Sequence, residues 1–389
     1  MTRRPRKLLR ERHEHERARV TYVELFFDLV FVFAITQLSH AVIAHPTVEG
    51  VMRAALLLLA VWWAWVFTAW VTNWLDPERP PVRLMLFAMM AAALVLAAAI
   101  PNAFAGQGLI FAGAYVFIQV GRTLFFLVGA WREPEHRANF LRIQSWLLVA
   151  GIVWIVGAFQ PGQTRFLVWA LAMAIEYLAP AAGFWTPGLG KSNSGDWSVE
   201  GAHLAERCAC FVIIALGESI VVTGATVVGL PWSAEVTAAF ASALVCCMAM
   251  WWIYFSSTAE AASEAIAESD DPGAIARAAY TYAQLPSVAG IIVAAVGDEW
   301  VIHHPIGHTD FKTAAAVIGG PALFLFGALV FKLAVFRQGS PTRLTGLVLL
   351  AAMIPVAGQV SPLTLSILTS LILVLVGGAE TWLMERRTA

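Results

Sequence analysis

The sequence predicts an all-α integral membrane protein with about twelve transmembrane helices, arranged as two parallel six-helix repeats with both termini cytoplasmic. Three observations carry that prediction. The first is composition: 59% of the 389 residues are hydrophobic, only 13% are charged, and the mean hydropathy is +0.71. Soluble domains carry about 25% charged residues, so this chain has too little charge to cover a soluble surface of its size. The second is that the apolar residues come in runs of about 20, the length a helix needs to cross a bilayer. The third is the placement of Lys and Arg, which is strongly one-sided along the chain. The formal net charge of −1 also excludes a soluble nucleic-acid binder built on a basic surface.

The elements follow in order. A basic head, residues 1–19, opens the chain with Arg3, Arg4, Arg6, Lys7, Arg10, Arg12, Arg17 and Arg19. The apolar run behind it is longer than the roughly 7–15 residues of a signal-peptide core, so the first run is expected to be a retained span. Breaking the remainder at Pro, Gly and charge gives spans near 20–43, 52–74, 82–103, 107–130, 140–159, 164–184, 202–226, 233–258, 274–298, 312–336, 342–359 and 362–384. The runs are continuous and Ala/Leu-rich, without the ten-residue alternation of an outer-membrane barrel. With the N-terminus inside, 20 of the 25 basic residues fall on inner segments and three, Arg53, Arg165 and Lys312, on outer ones. Arg122 and Arg207 lie within spans. That asymmetry favours cytoplasmic ends and an even number of spans.

The chain also repeats itself. Val61–Phe67 (VWWAWVF) resembles Met250–Phe255 (MWWIYF), Glu24 precedes the first as Glu206 precedes the second, Arg142 matches Arg343, and Glu176-Tyr177-Leu178 loosely matches Glu380–Leu383. The matches keep their chain order, as two diverged halves would. Six spans per half make the repeats parallel. The expected organisation is a head at 1–19, a first repeat at 20–185, a cytoplasmic linker at 186–201 and a second repeat at 202–385. The linker holds the longest stretch of turn-forming residues, Thr186–Asp196.

Ionisable residues within spans cost several kcal/mol unless paired or wetted, so each is a functional hypothesis. Glu24 and Asp28 stand i,i+4 and face the same way; Ser39 returns to that face and His40 is one residue off it. In the seventh span His203, Arg207 and Glu218 share a face, with Glu206 on its flank and Ser219 beside Glu218. Depth along the helices groups Glu24, Asp28, Arg122, Glu176, Glu206 and Arg207 in the inner half. The simpler alternatives are that Glu24 and Glu206 sit at headgroup level against the helix dipole, and that Arg122 snorkels inward past Trp131. Counting Glu218, the set holds five carboxylates and two arginines, an acidic surplus that fits a proton or cation pathway. The Trp clusters read as helix packing. Glu260, Glu264, Glu268, Asp270 and Asp271 read as a solvated cytoplasmic helix face. Cys208, Cys210, Cys246 and Cys247 lie in apolar runs without metal-ligand spacing, and His303, His304 and His308 lack a rigid spacing, so no metal site is expected. No nucleotide-binding or hydrolase motif occurs, and no cofactor is expected beyond coupling to protons or a monovalent cation.

Two segments carry a resemblance. Val20–His40, VTYVELFFDLVFVFAITQLSH, and His203–Gly224, HLAERCACFVIIALGESIVVTG, resemble the two signatures of the bacterial low-temperature-requirement A family. Trp251-Trp252 with Tyr254-Phe255, Tyr280-x-Tyr282 and Leu285-Pro286 also fit; Cys208 and Cys210 depart from the pattern. The resemblance implies a polytopic inner-membrane protein and places motif residues on Glu24, Asp28, His203, Glu206, Arg207, Glu218 and Ser219. It implies no substrate. The leading functional expectation is a secondary transporter, a cation- or proton-coupled carrier with Glu24, Asp28, Glu206, Arg207 and Glu218 along the pathway. Ser39, His40, Arg122, Glu176, His203 and Ser219 support it. The alternatives are an intramembrane enzyme using His203, Glu206 and Arg207 on a lipid or isoprenoid-linked substrate, and a sensor or structural protein without turnover. The expected partners are the lipid bilayer and a small molecule or ion, not nucleic acid.

Overall fold

The computed structural model describes residues 8–10, 20–131, 133–192, 200–256, 265, 269 and 271–388. Seven basic residues of the head (Arg3, Arg4, Arg6, Lys7, Arg12, Arg17, Arg19), Arg132, linker residues 193–196, and Glu260, Glu264, Glu268 and Asp270 lie outside the described residues. The described residues are helical, with no strand and two isolated β-bridges, Leu9–Leu75 and Thr186–Gly190.

Among the described residues twelve long helices run in chain order: α1 (Tyr22–Ala44), α2 (Val48–Trp74), α3 (Pro80–Asn102), α4 (Gly108–Gly129), α5 (Pro134–Ala158), α6 (Gly162–Leu178), α7 (Gly201–Val228), α8 (Ala234–Phe255), α9 (Gly273–His303), α10 (Phe311–Phe336), α11 (Pro341–Gln359) and α12 (Pro362–Thr388). Eleven are long and apolar enough to cross a membrane; α6, with 17 residues, is the shorter exception. Their outer faces stay apolar: Phe26 and Leu29 on α1, Val149 and Ile152 on α5, and Leu371 and Leu375 on α12 are exposed. Side chains of that kind, repeated on helix after helix, suit lipid rather than water, and the chain is a multi-pass membrane protein.

Local chemistry sets the helix ends. Thr47, Ser233 and Asp310 accept the backbone N–H of Gly50, Val236 and Thr313, satisfying donors that a helix start leaves open. Pro80, Pro134 and Pro341 stand in first turns, where the missing N–H costs nothing. Three boundaries differ from the sequence expectation. The proline at α5's first position starts that helix six residues early. Pro180 ends α6 near Leu178, because a proline ring disfavours helical geometry just before it. The ninth helix does not stop at Asp298 but continues to His303, so a charge that marks a boundary in the sequence lies inside a span.

The chain divides into two compact units, Met1–Leu204 and Ala205–Ala389. The core of the first is α2, on which Trp62, Trp63 and Trp65 are at most 1% exposed. Trp63 stacks on Tyr177 of α6 at 3.9 Å between ring centroids. The second is built on the crossing of α9 and α10. A Cβ on Gly290 would lie 2.4 Å from the Phe324 nitrogen, and one on Gly320 would lie 2.5 Å from the Ala294 nitrogen. Small residues let these backbones touch, as membrane helices require when packing alone holds them.

Candidate functional site

Within the first unit, Glu24 occupies the first turn of α1 and is fully buried. Its carboxylate accepts the Thr21 N–H and hydroxyl, each at 2.9 Å, and pairs with Arg10 Nη2 at 3.1 and 3.2 Å. His203 Nε2 lies 3.0 Å from the other carboxylate oxygen. Nε2 also lies 3.0 Å from Arg10 Nη2. On the far side of the ring, the Asn73 side-chain oxygen accepts the Glu200 N–H, which turns its NH2 toward His203 Nδ1 at 3.3 Å. Arg10 also donates from Nε to the carbonyls of Thr72 and Leu75 at the end of α2. Glu24 therefore stands at the N-terminal end of its helix, enclosed by protein. Arg10, read in the sequence only as one of the head's charges, holds this carboxylate to the end of α2.

One turn further along α1, Asp28 is fully buried and accepts the Trp65 indole N–H at 2.7 Å. Ser39 is buried and returns its hydroxyl to the Ile35 carbonyl, whereas His40 is exposed.

A second buried network ties α2, α4, α5 and α6 together. Glu176, 3% exposed, accepts three neutral donors: the Tyr115 hydroxyl at 2.7 Å, the Gln119 amide at 2.9 Å and the Trp154 indole at 2.9 Å. Gln119 turns its oxygen to Arg122 Nη2 at 2.6 Å, so the arginine reaches Glu176 only through an amide. Arg122 also donates to the Ala64 carbonyl and the Thr68 hydroxyl, and among the described residues its Nε has no partner. It does not snorkel past Trp131, because these inward acceptors hold it fully buried. A π-helical turn over Phe117–Gly121 lies between Tyr115 and Arg122; such wide turns insert an extra residue and recur at functional positions.

In the second unit, Arg207 is fully buried, Glu206 is exposed, and Glu218 and Ser219 are buried. Its best-defined ion pair was missed as a site: Arg343 grips Glu380 with Nε and Nη2, each at 3.0 Å, while Ser340 and Thr342 donate to the same carboxylate. The sequence signal for it, an arginine and a glutamate matched in the repeat, was read as orientation and as a loose echo. Arg165, counted as an outer-loop charge, is buried and donates to four carbonyls, those of Ala103, Ala105, Ala158 and Gln160. Asp298 was taken as a helix end. It lines a small recess of the second unit with Ser219 and Thr223. Cys208, Cys246 and Cys247 are buried thiols, and Cys210 is half-buried.

These observations define a class: a polytopic helical membrane protein whose buried carboxylates are held in specific polar networks. The chain matches the family model of the bacterial low temperature requirement A protein (LtrA) over residues 19–377 and belongs to that family. It is 36% identical over 380 residues to the uncharacterized protein RA0937 of Rhizobium meliloti (strain 1021), covering 94% of this chain and 91% of that one. No solved structure matches it.

Proposed function

We propose that the protein is a proton- or cation-coupled secondary carrier of the bacterial cytoplasmic membrane. Its two six-helix halves would be parallel repeats with both ends in the cytoplasm. The observation that carries this reading is Glu176. It is a carboxylate buried among membrane-length helices, and three neutral donors hold it with no cation in direct contact among the described residues. Such a group takes up or releases a proton by rearranging hydrogen bonds, without breaking an ion pair, which is what a coupling site needs. Asp28, on the Trp65 indole, and Glu218 are further titratable groups at depth.

The enzyme reading has less support. His203 is fully enclosed by Glu24, Arg10 and Asn73 and offers no free nitrogen to a headgroup. The test is proton flux into vesicles reconstituted with the purified protein, driven by a potassium diffusion potential. Glu176→Gln, Asp28→Asn and Glu218→Gln should each lower the flux at least about tenfold, the effect of about 1.4 kcal/mol on a barrier. Flux that is unchanged at every pH in all three variants would overturn the proposal. Flux no higher than in empty vesicles would favour a sensor or structural role.

A further inference from the structure

We infer that Asp298, with Ser219 and Thr223, forms a site in the second unit for one singly charged cation, a proton or Na+. This rests on the carrier reading for its purpose, though not for its chemistry.

Asp298 lies on α9 five residues before its last residue, His303. Among the described residues its carboxylate has no hydrogen-bond donor and no ion pair. It faces a recess lined by Ser219 and Thr223 of α7 and by Phe240, Ala243 and Cys247 of α8. The polar hydrogens around that recess are already used. Ser219 donates to the Ala215 carbonyl, Thr223 to the Ser219 carbonyl and the Cys247 thiol to the Leu216 carbonyl. What remains for an occupant is lone pairs: two hydroxyl oxygens, a sulfur and a carboxylate. An anion or a neutral acceptor would find no donor there, whereas a cation finds only acceptors.

Size and charge narrow the occupant. The cavity volume is about 10 Å³, near the threshold of about 10–15 Å³ for one water, so no organic substrate fits. One carboxylate balances one positive charge, and among the described residues no cluster of three His, Cys, Asp or Glu side chains offers a divalent site. Oxygen-rich surroundings suit Na+ or a hydrated proton better than a soft metal.

The same helix supplies an independent observation. Tyr280, Gln284 and Ser287 are each about 1% exposed; among the described residues the Tyr280 and Ser287 hydroxyls have no hydrogen-bond partner, and Gln284 lies against the Tyr254 hydroxyl. Buried polar atoms without protein partners call for water or an ion. Tyr280 lies in a π-helical stretch, Arg277–Ala283. Ser287 precedes Asp298 by eleven residues, three helical turns, so both lie on one face about 16 Å apart. The face therefore carries groups that water can join, leading along α9 to the carboxylate.

The titratable neighbours are few. Cys246 and Cys247 of α8 lie within electrostatic reach of Asp298, and Glu218 precedes Ser219 on α7. Glu299 follows on α9 itself, and Glu235 begins α8. On α10, Lys312 sits over the Trp300 ring and Lys332 lies 3.9 Å from Glu380 of α12, whose other charges, Glu385, Arg386 and Arg387, stand in its last turns.

The test is the thermal unfolding midpoint of the full-length protein in lipid nanodiscs, titrated with NaCl against choline chloride at alkaline pH, and then with pH in choline. A rise with Na+ in the wild type that Asp298→Asn abolishes identifies a sodium site, and Thr223→Val should then weaken the Na+ response severalfold. A rise on acidification, without a Na+ effect, that Asp298→Asn abolishes identifies a proton site. Responses to both titrations that are the same in wild type and Asp298→Asn overturn the inference. Should Asp298→Asn not fold, Asp298→Glu moves the carboxylate by one methylene and should shift the midpoint of the Na+ or pH response at least about threefold in concentration. No shift overturns it. Binding needs no turnover: a bound cation with no flux removes the carrier reading and leaves the site, while flux indifferent to Asp298→Asn does the reverse.

Discussion

A carboxylate inside a membrane helix is stable in proportion to the donors that reach it, and the buried acids differ in what those donors are. Glu380 has a guanidinium fork and two hydroxyls. Arg343→Met should therefore cost about 3–5 kcal/mol, because it leaves a buried charge unpaired. Adding Glu380→Leu should recover most of that loss, as read from denaturant unfolding in mixed micelles. Glu176 has three neutral donors. Glu176→Gln turns an NH2 toward at least one of them and should cost about 1–3 kcal/mol in the same assay. Outside the spans, Asp310 caps α10. Burial pushes its carboxyl upward, but hydrogen bonds from Thr313 and the charge of Lys312 outweigh that and hold it below the usual carboxylate range. A depressed acid stabilises the fold above its unfolded pKa, and that stability is lost as pH falls through the folded value. Asp310→Ala should accordingly cost about 1 kcal/mol at neutral pH. The difference from wild type should shrink in acid, which unfolding curves at two pH values would reveal.

At the scale of the helix, the tightest constraint is the crossing of α9 and α10. Gly290 and Gly320 each stand where a Cβ would meet the opposite backbone nitrogen or Cα at 2.4–2.7 Å. Backbone cannot yield as a side-chain tip does, so Gly320→Leu should separate the helices and abolish folded yield. Gly320→Ala should cost about 1–3 kcal/mol. Size-exclusion profiles and unfolding midpoints would check the pair. The span positions were legible in the sequence, because a run of about twenty apolar residues has few alternatives to a membrane helix. The end of α9 was not. A charge reads locally as a boundary, but at Asp298 the recess of α7 and α8 takes it inside. The π-helical turns on α4 and α9 left no sequence signal.

At the scale of the whole molecule, the basic residues predict the topology. Reporters fused after Ser192 and at the C-terminus should read cytoplasmic, and reporters inserted at Gly106 and Gly307 should read external. The opposite pattern would sink the assigned orientation and the parallel repeat with it. The site was legible in part. Glu24, Asp28, Arg122, Glu176, Arg207 and Glu218 were visible as anomalies while Arg165, Asp298, Arg343 and Glu380 were not, and Glu24 with His203 and Arg122 with Glu176 fall into common networks. Their partners were not visible. Asn73, Gln119, Trp65 and Trp154 are ordinary residues in a Trp-rich chain until folding aims them at a carboxylate.

The sequence by itself determined the class of protein, the number of long helices and part of the list of charges that need explaining. Those follow from composition and run length, which are one-dimensional properties acting through a bilayer of fixed thickness. Tertiary structure alone decided which charges are satisfied and which are not. It closed Glu24 with an arginine from the N-terminal head and surrounded Glu176 with neutral donors. It paired Arg343 with Glu380 and left Asp298 facing oxygen atoms whose hydrogens were already used. Satisfaction of a polar group depends on distances of about 3 Å between residues far apart in the chain, and periodicity within a single helix carries no information about those.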